Sequence, residues 1–421
     1  MRILMLTSSY PKYDGETTAP FIEEIASALA LRGHVVHLVA PYHPEVRREA
    51  IERGVELHFY KYAPHPALNV WGYAQSLLGD TEVKKATLAA APFALAGSVR
   101  GLLDVMGYTP FVTYHPQQRF DMVHAHWVIP NGPPAAFAAW WKRFPLVVSL
   151  HGSDIYMAEQ HWPIATSAAL TLRAAYAVTA CSSDLAMRGM MLGARPQASY
   201  VIPYGINPEE FCPQPEARAK VCAELGVAED TPLVFAIGRM VYKKGFNVLL
   251  DSWPQVLAQH PNALLVLAGY GDLRAELEQQ AAHLGITERL VFTGQLERSR
   301  AAEYIAAATV FALPLVSDQG TDGLPNTLLE AMGTGRAIVA SRVAGVPDVM
   351  EDEQDGLLIP DRDAPALADA VNRLLSDPAL AEQLGANARH RIETELTWEH
   401  TAERFEQVYD DVIKGRTTQT G

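Results

Sequence analysis

The sequence predicts an α/β protein built as two doubly wound parallel-sheet domains that face a central cleft. Three observations carry this. The chain has 421 residues, more than a single core accommodates, and about 100–200 residues per domain gives two. Short apolar runs alternate with segments of helical periodicity along most of its length. Strand–helix–strand alternation implies right-handed crossovers and a parallel sheet covered on both faces. The alternation breaks once, across residues 207–232 with their four prolines, and then restarts.

Taken in order, the first half offers strands at residues 2–8, 34–41, 55–60, 121–127, 146–151, 177–181 and 199–203. Residues 21–31 carry helical periodicity, with Gly33 just after as a stop signal. The N-terminal MRILML is apolar too briefly for a signal-peptide core and reads as the first strand. Residues 62–120 are rich in Pro and aromatics around an Ala-rich middle, and read as an irregular elaboration on the first domain. No apolar run reaches the ~20 residues of a membrane span; the nearest, 86–99, is interrupted by Pro92. The second half offers strands at 233–238, 264–269, 290–293, 310–314, 337–340 and 357–359. The halves are Rossmann-like, with domains at 1–205 and 206–390 and a C-terminal segment at 391–421.

Composition excludes some functions. The formal net charge is −14, whereas a nucleic-acid binder needs an excess of Lys and Arg to neutralise phosphates. The three cysteines, Cys181, Cys212 and Cys222, form no C-x-x-C pair. A disulfide framework or zinc knuckle is therefore not indicated, and a reducing, cytoplasmic setting is expected.

In open parallel sheets ligands sit at the carboxyl ends of strands, so the loops after strands hold the candidates. In GTDGLPNTLLEAMGTG, residues 320–335, Asp322 precedes a short helix and Glu330 lies within it. Pro325 suits a first helical turn, which opens the N–H groups of Asn326, Thr327 and Leu328 to an anion. Glu330 lies on the face of Asn326 and leans back toward that end. There its carboxylate could accept from a ribose diol; the bland alternative is a solvated helix Glu and a turn Asp. Arg239 and Lys244, in AIGRMVYKKGF, follow a strand and can clamp a diphosphate. Gly269 in LAGYGDL and Thr293-Gly294-Gln295 in FTGQL end further strands, each a weak signal alone.

In the first half, Gly15 in KYDGETTAPF permits close backbone approach near a helix start. His151 in HGSD can donate to a sugar hydroxyl or reacting oxygen; a structural His is the alternative. His124-x-His126 lacks an evident third ligand, so no metal site is expected there. Asp361-x-Asp363 resembles a metal-binding pair, but Asp363 opens a helical pattern and reads as an N-cap.

Together these motifs resemble the group-1 (family 4) retaining glycosyltransferases of GT-B fold. The resemblance runs over almost the whole chain, through HGSDI, VIPYGINPEEF, IGRMVYKKGF, LAGYGDLRAEL, FTGQL, DGLPNTLLEAMGTG and the final TWEHTAERFEQVYDDVI. It implies that a sugar moves from a UDP- or GDP-sugar to a saccharide or lipid-linked acceptor, in surface polysaccharide or glycolipid synthesis, with no other cofactor and no metal. By the same resemblance His151, Asp322, Arg239 and Lys244 are catalytic. Gly15, Arg239, Lys244, Gly269, Thr293, Gly294, Gln295, Gly323, Leu324, Asn326, Thr327 and Glu330 bind the donor. His126 and Asp154 lie toward the acceptor, and the helix from about Trp398 crosses back to the first domain. Two departures stand out: Asp322 replaces the family's Glu, and the first loop has one Gly rather than a pair.

Work at the inner face of a membrane would follow from a lipid-linked acceptor. Trp140-Trp141-Lys142-Arg143 offers a peripheral contact, although an amphipathic helix against its own core is the simpler reading. A dinucleotide-dependent oxidoreductase is excluded, because Thr7-Ser8-Ser9 after the first strand is no G-x-G-x-x-G. A nucleotide-sugar epimerase or a non-catalytic nucleotide-sugar binder remain as alternatives.

Overall fold

The computed structural model describes the chain except residues 17, 73–83, 108–118, 318–322 and 420–421. Asp322, one of the two carboxylates singled out above, lies outside the described residues. The chain divides into two compact units: Met1–Pro203 with Trp398–Gly421, and Tyr204–Thr397.

In the first unit the strands are β1 (Arg2–Leu6), β2 (Val35–Pro41), β3 (Ile51–Glu52), β4 (Val55–Tyr60), β5 (Met122–His126), β6 (Leu146–Leu150), β7 (Ala177–Ala180) and β8 (Ser199–Val201). The helices are α1 (Pro20–Leu31), α2 (Lys85–Val105), α3 (Val128–Lys142), α4 (Ser153–Gln160), α5 (Trp162–Ala174) and α6 (Ser183–Leu192). The sheet runs β3-β4-β2-β1-β5-β6-β7-β8. Every pairing is parallel except that of β3 with β4. The strand order reverses between β1 and β5, the switch point at which such sheets bind ligands.

Alternate residues of each strand face opposite layers. Ile3 and Met5 of β1 and Val36 and Leu38 of β2 pack with Ile22, Ile25 and Leu29 of α1 and with Phe405, Val408 and Tyr409 near the C-terminus. On the other face Val39 and Tyr60 lie against α2, so close that a Cβ at Gly101 would stand 3.1 Å from both.

The second unit contains β9 (Leu233–Ile237), β10 (Leu264–Ala268), β11 (Leu290–Gly294), β12 (Val310–Leu313), β13 (Ala337–Ser341) and β14 (Leu357–Ile359). Its helices are α7 (Ala217–Leu225), α8 (Phe246–Gln259), α9 (Arg274–His283), α10 (Arg298–Ala307), α11 (Asn326–Gly333), α12 (Val346–Val349), α13 (Ala364–Ser376) and α14 (Pro378–Glu395). The all-parallel order β11-β10-β9-β12-β13-β14 is that of a dinucleotide-binding sheet, with its switch point between β9 and β12. The last helix, α15 (Trp398–Gln419), belongs to the first unit and packs on α1. Arg32 there pairs with Glu403 and Glu406. The expected boundary at 391 falls inside α14, which stays with the second unit; the chain passes over at Leu396-Thr397, where Leu396 accepts the Ile206 N–H.

Three expectations are corrected. β3 was not foreseen: it forms because Arg53 and Gly54 both take positive φ, 49° and 80°, and close a two-residue hairpin. The supposedly irregular 62–120 contains α2, a helix of 21 residues that keeps Pro92 inside it. Trp140 and Trp141 do not pack on their own core; they are 76% and 55% exposed.

Candidate active site

In the second unit the site is built from the carboxyl ends of β9, β10, β11 and β12. Backbone bonds lace three of these ends into one ledge. Gly238 N–H donates to Ala268 O (3.1 Å), Gly269 N–H to Gly294 O (2.7 Å), and Met240 N–H to Tyr270 O (2.7 Å). Gly269 must be glycine here: its φ is +127° and a Cβ would stand 1.8 Å from the Gly238 carbonyl oxygen. Thr293 donates its hydroxyl to Gly294 O at 3.1 Å, and Gln295 is exposed. Past β9, Arg239 is exposed. A one-turn helix, Tyr242–Lys244, then returns Lys244 over Gly238, where a Cβ would lie 3.4 Å from the lysine Cδ and Cε. Gly245 fixes that return, since a side chain there would collide with Pro314 O at 1.7 Å.

After β12, Pro325 caps α11 in an extended conformation rather than starting it. Of the three expected donors, the Leu328 N–H is taken by Pro325 O at 3.1 Å, which leaves those of Asn326 and Thr327 without a partner among the described residues. Beside them, Asn326 Oδ1 and Thr327 Oγ1 are buried with no hydrogen-bond partner among the described residues. Buried polar atoms are nearly always satisfied, so this end of α11 is suited to a polar ligand. Gly323 and Leu324 are buried, with Gly323 O accepting from Gly345 N–H at 2.8 Å.

Glu330 stands on the same helix, and burial pushes its carboxyl up to about 7 against the pull of Arg298 and Lys244, with Glu210 adding to the rise. Glu330 and Lys244 thus share one electrostatic neighbourhood. Arg298 and Glu210 belong to the same neighbourhood, and the sequence did not reveal them. They pair with each other (Nη2 to Oε2, 3.0 Å), with Arg298 lying over Phe211. No motif links them, because they come from distant segments. Asp363 caps α13 by accepting Ala366 N–H at 2.9 Å, while Asp361 bonds to Ser317; the two carboxylates therefore serve separate loops.

In the first unit three histidines line up behind the switch point. His151 follows β6, flanked by the rings of Trp127 and Phe21 at 4.8 and 4.9 Å between centroids. Its Nε2 lies 3.1 Å from His126 Nδ1. His126 and His124 are wholly buried. His124 is held at both nitrogens, by Tyr409 OH (2.8 Å) and Ser149 Oγ (2.7 Å). A third histidine therefore does lie near His124-x-His126, contrary to the sequence expectation. The set still does not converge on an ion, since both nitrogens of His124 are engaged and those of His126 and His151 face each other. Burial holds all three below the ordinary histidine range, His126 at about 3, so they are neutral at physiological pH. With His126 Nε2 unpartnered among the described residues, the cheaper arrangement leaves a lone pair there and lets Nδ1–H donate to His151. The proton of His151 is then on Nδ1.

Asp154 and His126, expected toward an acceptor, are both fully buried, and each hydrogen-bonds to His151. Asp154 accepts from Val128 N–H (2.8 Å), Gly152 N–H (3.0 Å) and, more weakly, His151 N–H (3.4 Å), tying the loops after β5 and β6 together. Burial outweighs those bonds and raises its carboxyl to about 6. Gly15 has a positive φ, with nothing among the described residues within 4 Å of a Cβ position. The nearby Lys12 pairs with Glu16 (3.2 Å) and Glu45 (2.6 Å).

His37, Glu56 and His58 form a further cluster of ligand types within 4.8 Å. Arg2 lies 3.1 Å from His37 Nε2; as a donor it leaves the proton on Nδ1, which faces His58 (3.1 Å) and Glu56 (3.2 Å). That is a hydrogen-bonded group rather than an open donor set.

The family described as "Glycosyl transferases group 1" matches residues 218–391, and "Glycosyl transferase 4-like domain" matches residues 17–205. An alpha-maltose-1-phosphate synthase of Mycobacterium tuberculosis is 31% identical over 98% of this chain and 100% of its own length. A GDP-mannose-dependent alpha-(1-6)-phosphatidylinositol monomannoside mannosyltransferase of Mycolicibacterium smegmatis is 31% identical over 49% of this chain and 55% of its own. The crystal structure of Anabaena Alr3699/HepE in complex with UDP superposes with a TM-score of 0.74 at 18% identity, over 98% of this chain and 100% of that one.

Proposed function

The chain belongs to the group-1 (family 4) glycosyltransferases, and from that premise we propose that it is a metal-independent, retaining enzyme. It moves a sugar from a UDP- or GDP-sugar to a saccharide or lipid-linked acceptor. The observation that carries the donor assignment is the meeting of Glu330 with Lys244 and Arg298 beside the open end of α11. In this reading Arg239 and Lys244 take the diphosphate, joined by the Asn326 and Thr327 N–H groups. Glu330 accepts from the two ribose hydroxyls. The ledge of Gly269 and Thr293–Gln295 offers main-chain groups to the base.

Catalysis follows from leaving-group stabilisation. As the bond from the anomeric carbon to the diphosphate oxygen lengthens, negative charge grows on the diphosphate, and the fixed cations and helix end meet it without reorganisation. The acceptor hydroxyl attacks the same face and passes its proton to the departing diphosphate oxygen. Neutral His151, its Nδ1–H fixed by His126, donates to a hydroxyl of the reacting sugar. A UDP-bound fold relative and a GDP-mannose-dependent sequence relative support both bases, and the latter's phosphatidylinositol acceptor supports a lipid-linked one.

The test is a thermal-shift screen with UDP, GDP and ADP, followed by turnover with the matching nucleotide-sugars. A ligand at 100 times its Kd adds about 2.7 kcal/mol of stability. No shift with any nucleotide would overturn the reading, and conversion of the donor without any acceptor would replace transfer by epimerisation.

A further inference from the structure

We propose that the outer face of α2 and α3 docks on an anionic lipid surface, an inference that goes beyond the transfer reaction and rests on the first unit alone. Between Lys85 and Arg100 the chain has no charged side chain. The solvent side of α2 presents Leu88 (64% exposed), Phe93 (46%) and Leu95 (37%). α3 packs beside it and adds Phe137, Trp140 and Trp141, all exposed. Phe137 meets both indoles, with ring centroids 6.2 and 5.4 Å apart, so the aromatics form one external cluster.

Exposed apolar side chains gathered on two adjoining helices mark a partner site. Cations identify the partner here. Lys84 and Lys85 stand at the start of α2, Arg100 lies toward its end, and Lys142 and Arg143 close α3, with Lys142 Nζ 5.5 Å from the Trp141 ring. Basic residues at the edge of a Trp-rich apolar face, on a chain whose net charge is −14, suit anionic headgroups and the interfacial layer beneath them.

The helix lies on such a surface rather than crossing it. α2 is long and apolar enough to span a membrane, but its inner face is locked into the domain. Cβ atoms at Gly97 and Gly101 would come within 2.8 Å of Tyr62 and 3.1 Å of Tyr60. Pulling α2 out would unmake the layer over β2 and β4.

The experiment is flotation of the full chain with phosphatidylcholine vesicles, with and without phosphatidylglycerol, at low and high salt. Binding is expected only with the anionic lipid, weakened by salt, and with a blue shift of tryptophan fluorescence. The double variant Trp140→Ser/Trp141→Ser should bind at least about tenfold less tightly, and Lys85→Glu/Lys142→Glu should lose binding to the anionic vesicles. These side chains are at the surface, so circular dichroism and nucleotide-dependent thermal shift should be unchanged and turnover on a water-soluble acceptor retained. No binding to anionic vesicles, or binding indifferent to both double variants, overturns the proposal. So does a concentration-dependent dimer that the Trp variant dissolves, which would assign the face to a second copy. Vesicle binding by a protein that transfers no sugar would sink the proposed function and leave this inference standing.

Discussion

Glu330 should make donor binding depend on pH, and the size of the effect follows from its surroundings. Burial, outweighing Arg298 and Lys244, pushes its carboxyl up from the usual 4.5 to about 7. To accept from two ribose hydroxyls it must be ionised. Affinity for the nucleotide-sugar should then be about half maximal at pH 7, and fall about tenfold for each unit below that, 1.36 kcal/mol per unit. Above pH 8 it should be flat. The intact nucleotide-sugar is the right ligand, because its doubly esterified diphosphate does not itself titrate in this range. Calorimetry in two buffers of different ionisation enthalpy at pH 7 should show about half a proton released per ligand bound. Glu330→Gln should abolish both the release and the slope, and weaken binding by about 1.5–3 kcal/mol. In the unliganded protein the linkage has the opposite sense to that of a salt-bridged acid. The fold holds the proton more tightly than the unfolded chain, so the stability this group contributes is present below pH 4.5 and is lost as pH rises toward 7. Affinity that is level from pH 6 to 8.5 with no proton release, or a Glu330→Gln protein that binds like wild type, would refute the ribose assignment.

Other outcomes follow from the same geometry. His151→Ala should lower kcat about 10²-fold or more while nucleotide affinity barely changes, since the nucleotide groups lie in the second unit; near-normal turnover would make His151 structural. Asp154→Ala leaves the N–H groups of Val128 and Gly152 buried without an acceptor and should cost about 2–4 kcal/mol in the first unit, with partial rescue by Asp154→Asn; an unshifted urea midpoint would show the loop is held otherwise. Gly269→Ala forces a Cβ onto the Gly238 oxygen and should cost at least about 2 kcal/mol and most of the nucleotide affinity, read by denaturant and thermal-shift titrations. Transfer should survive excess EDTA, because Arg239, Lys244 and α11 supply the charge; loss restored by Mn²⁺ or Mg²⁺ would return attention to Asp361.

The sheets were legible because their strands are buried on both faces and so stand out as apolar runs between turn residues. β4 and β14 coincide with their expected ranges. α2 was not legible for the converse reason. It is apolar on its outer side as well as its inner one, so no helical stripe appears, and Pro92 argues against a helix that the packing of Gly97 and Gly101 nevertheless holds. Exposure was equally hidden: Trp140 and Trp141 read as core by residue type, and only the packing of Ala138 and Ala139 inward turns them out. In the site, residues within one motif, such as Arg239 with Lys244, could be named from spacing. Arg298 and Glu210 come from a helix start and a linker with no shared pattern, and only the folded chain sets them around Glu330.

Two buried acids carry similar upward shifts, and their partners separate their duties. Asp154 is filled by backbone: Val128 and Gly152 N–H groups take its oxygens at 2.8 and 3.0 Å. A filled carboxylate has little capacity for a ligand, and its value is positional, because it ties together the two loops that present His151. The Glu330 carboxylate makes no hydrogen bond among the described residues and instead has the cations Arg298 and Lys244 acting on it through space. An acid desolvated without donors waits for them from elsewhere, and a vicinal diol supplies two. The same contrast accounts for the histidines. His124 is filled at both nitrogens, and His126 gives its one proton to His151. Of the buried histidines it is His126 that reaches His151, and it leaves that imidazole neutral with its proton on Nδ1, the state that the proposed donation to an uncharged sugar requires.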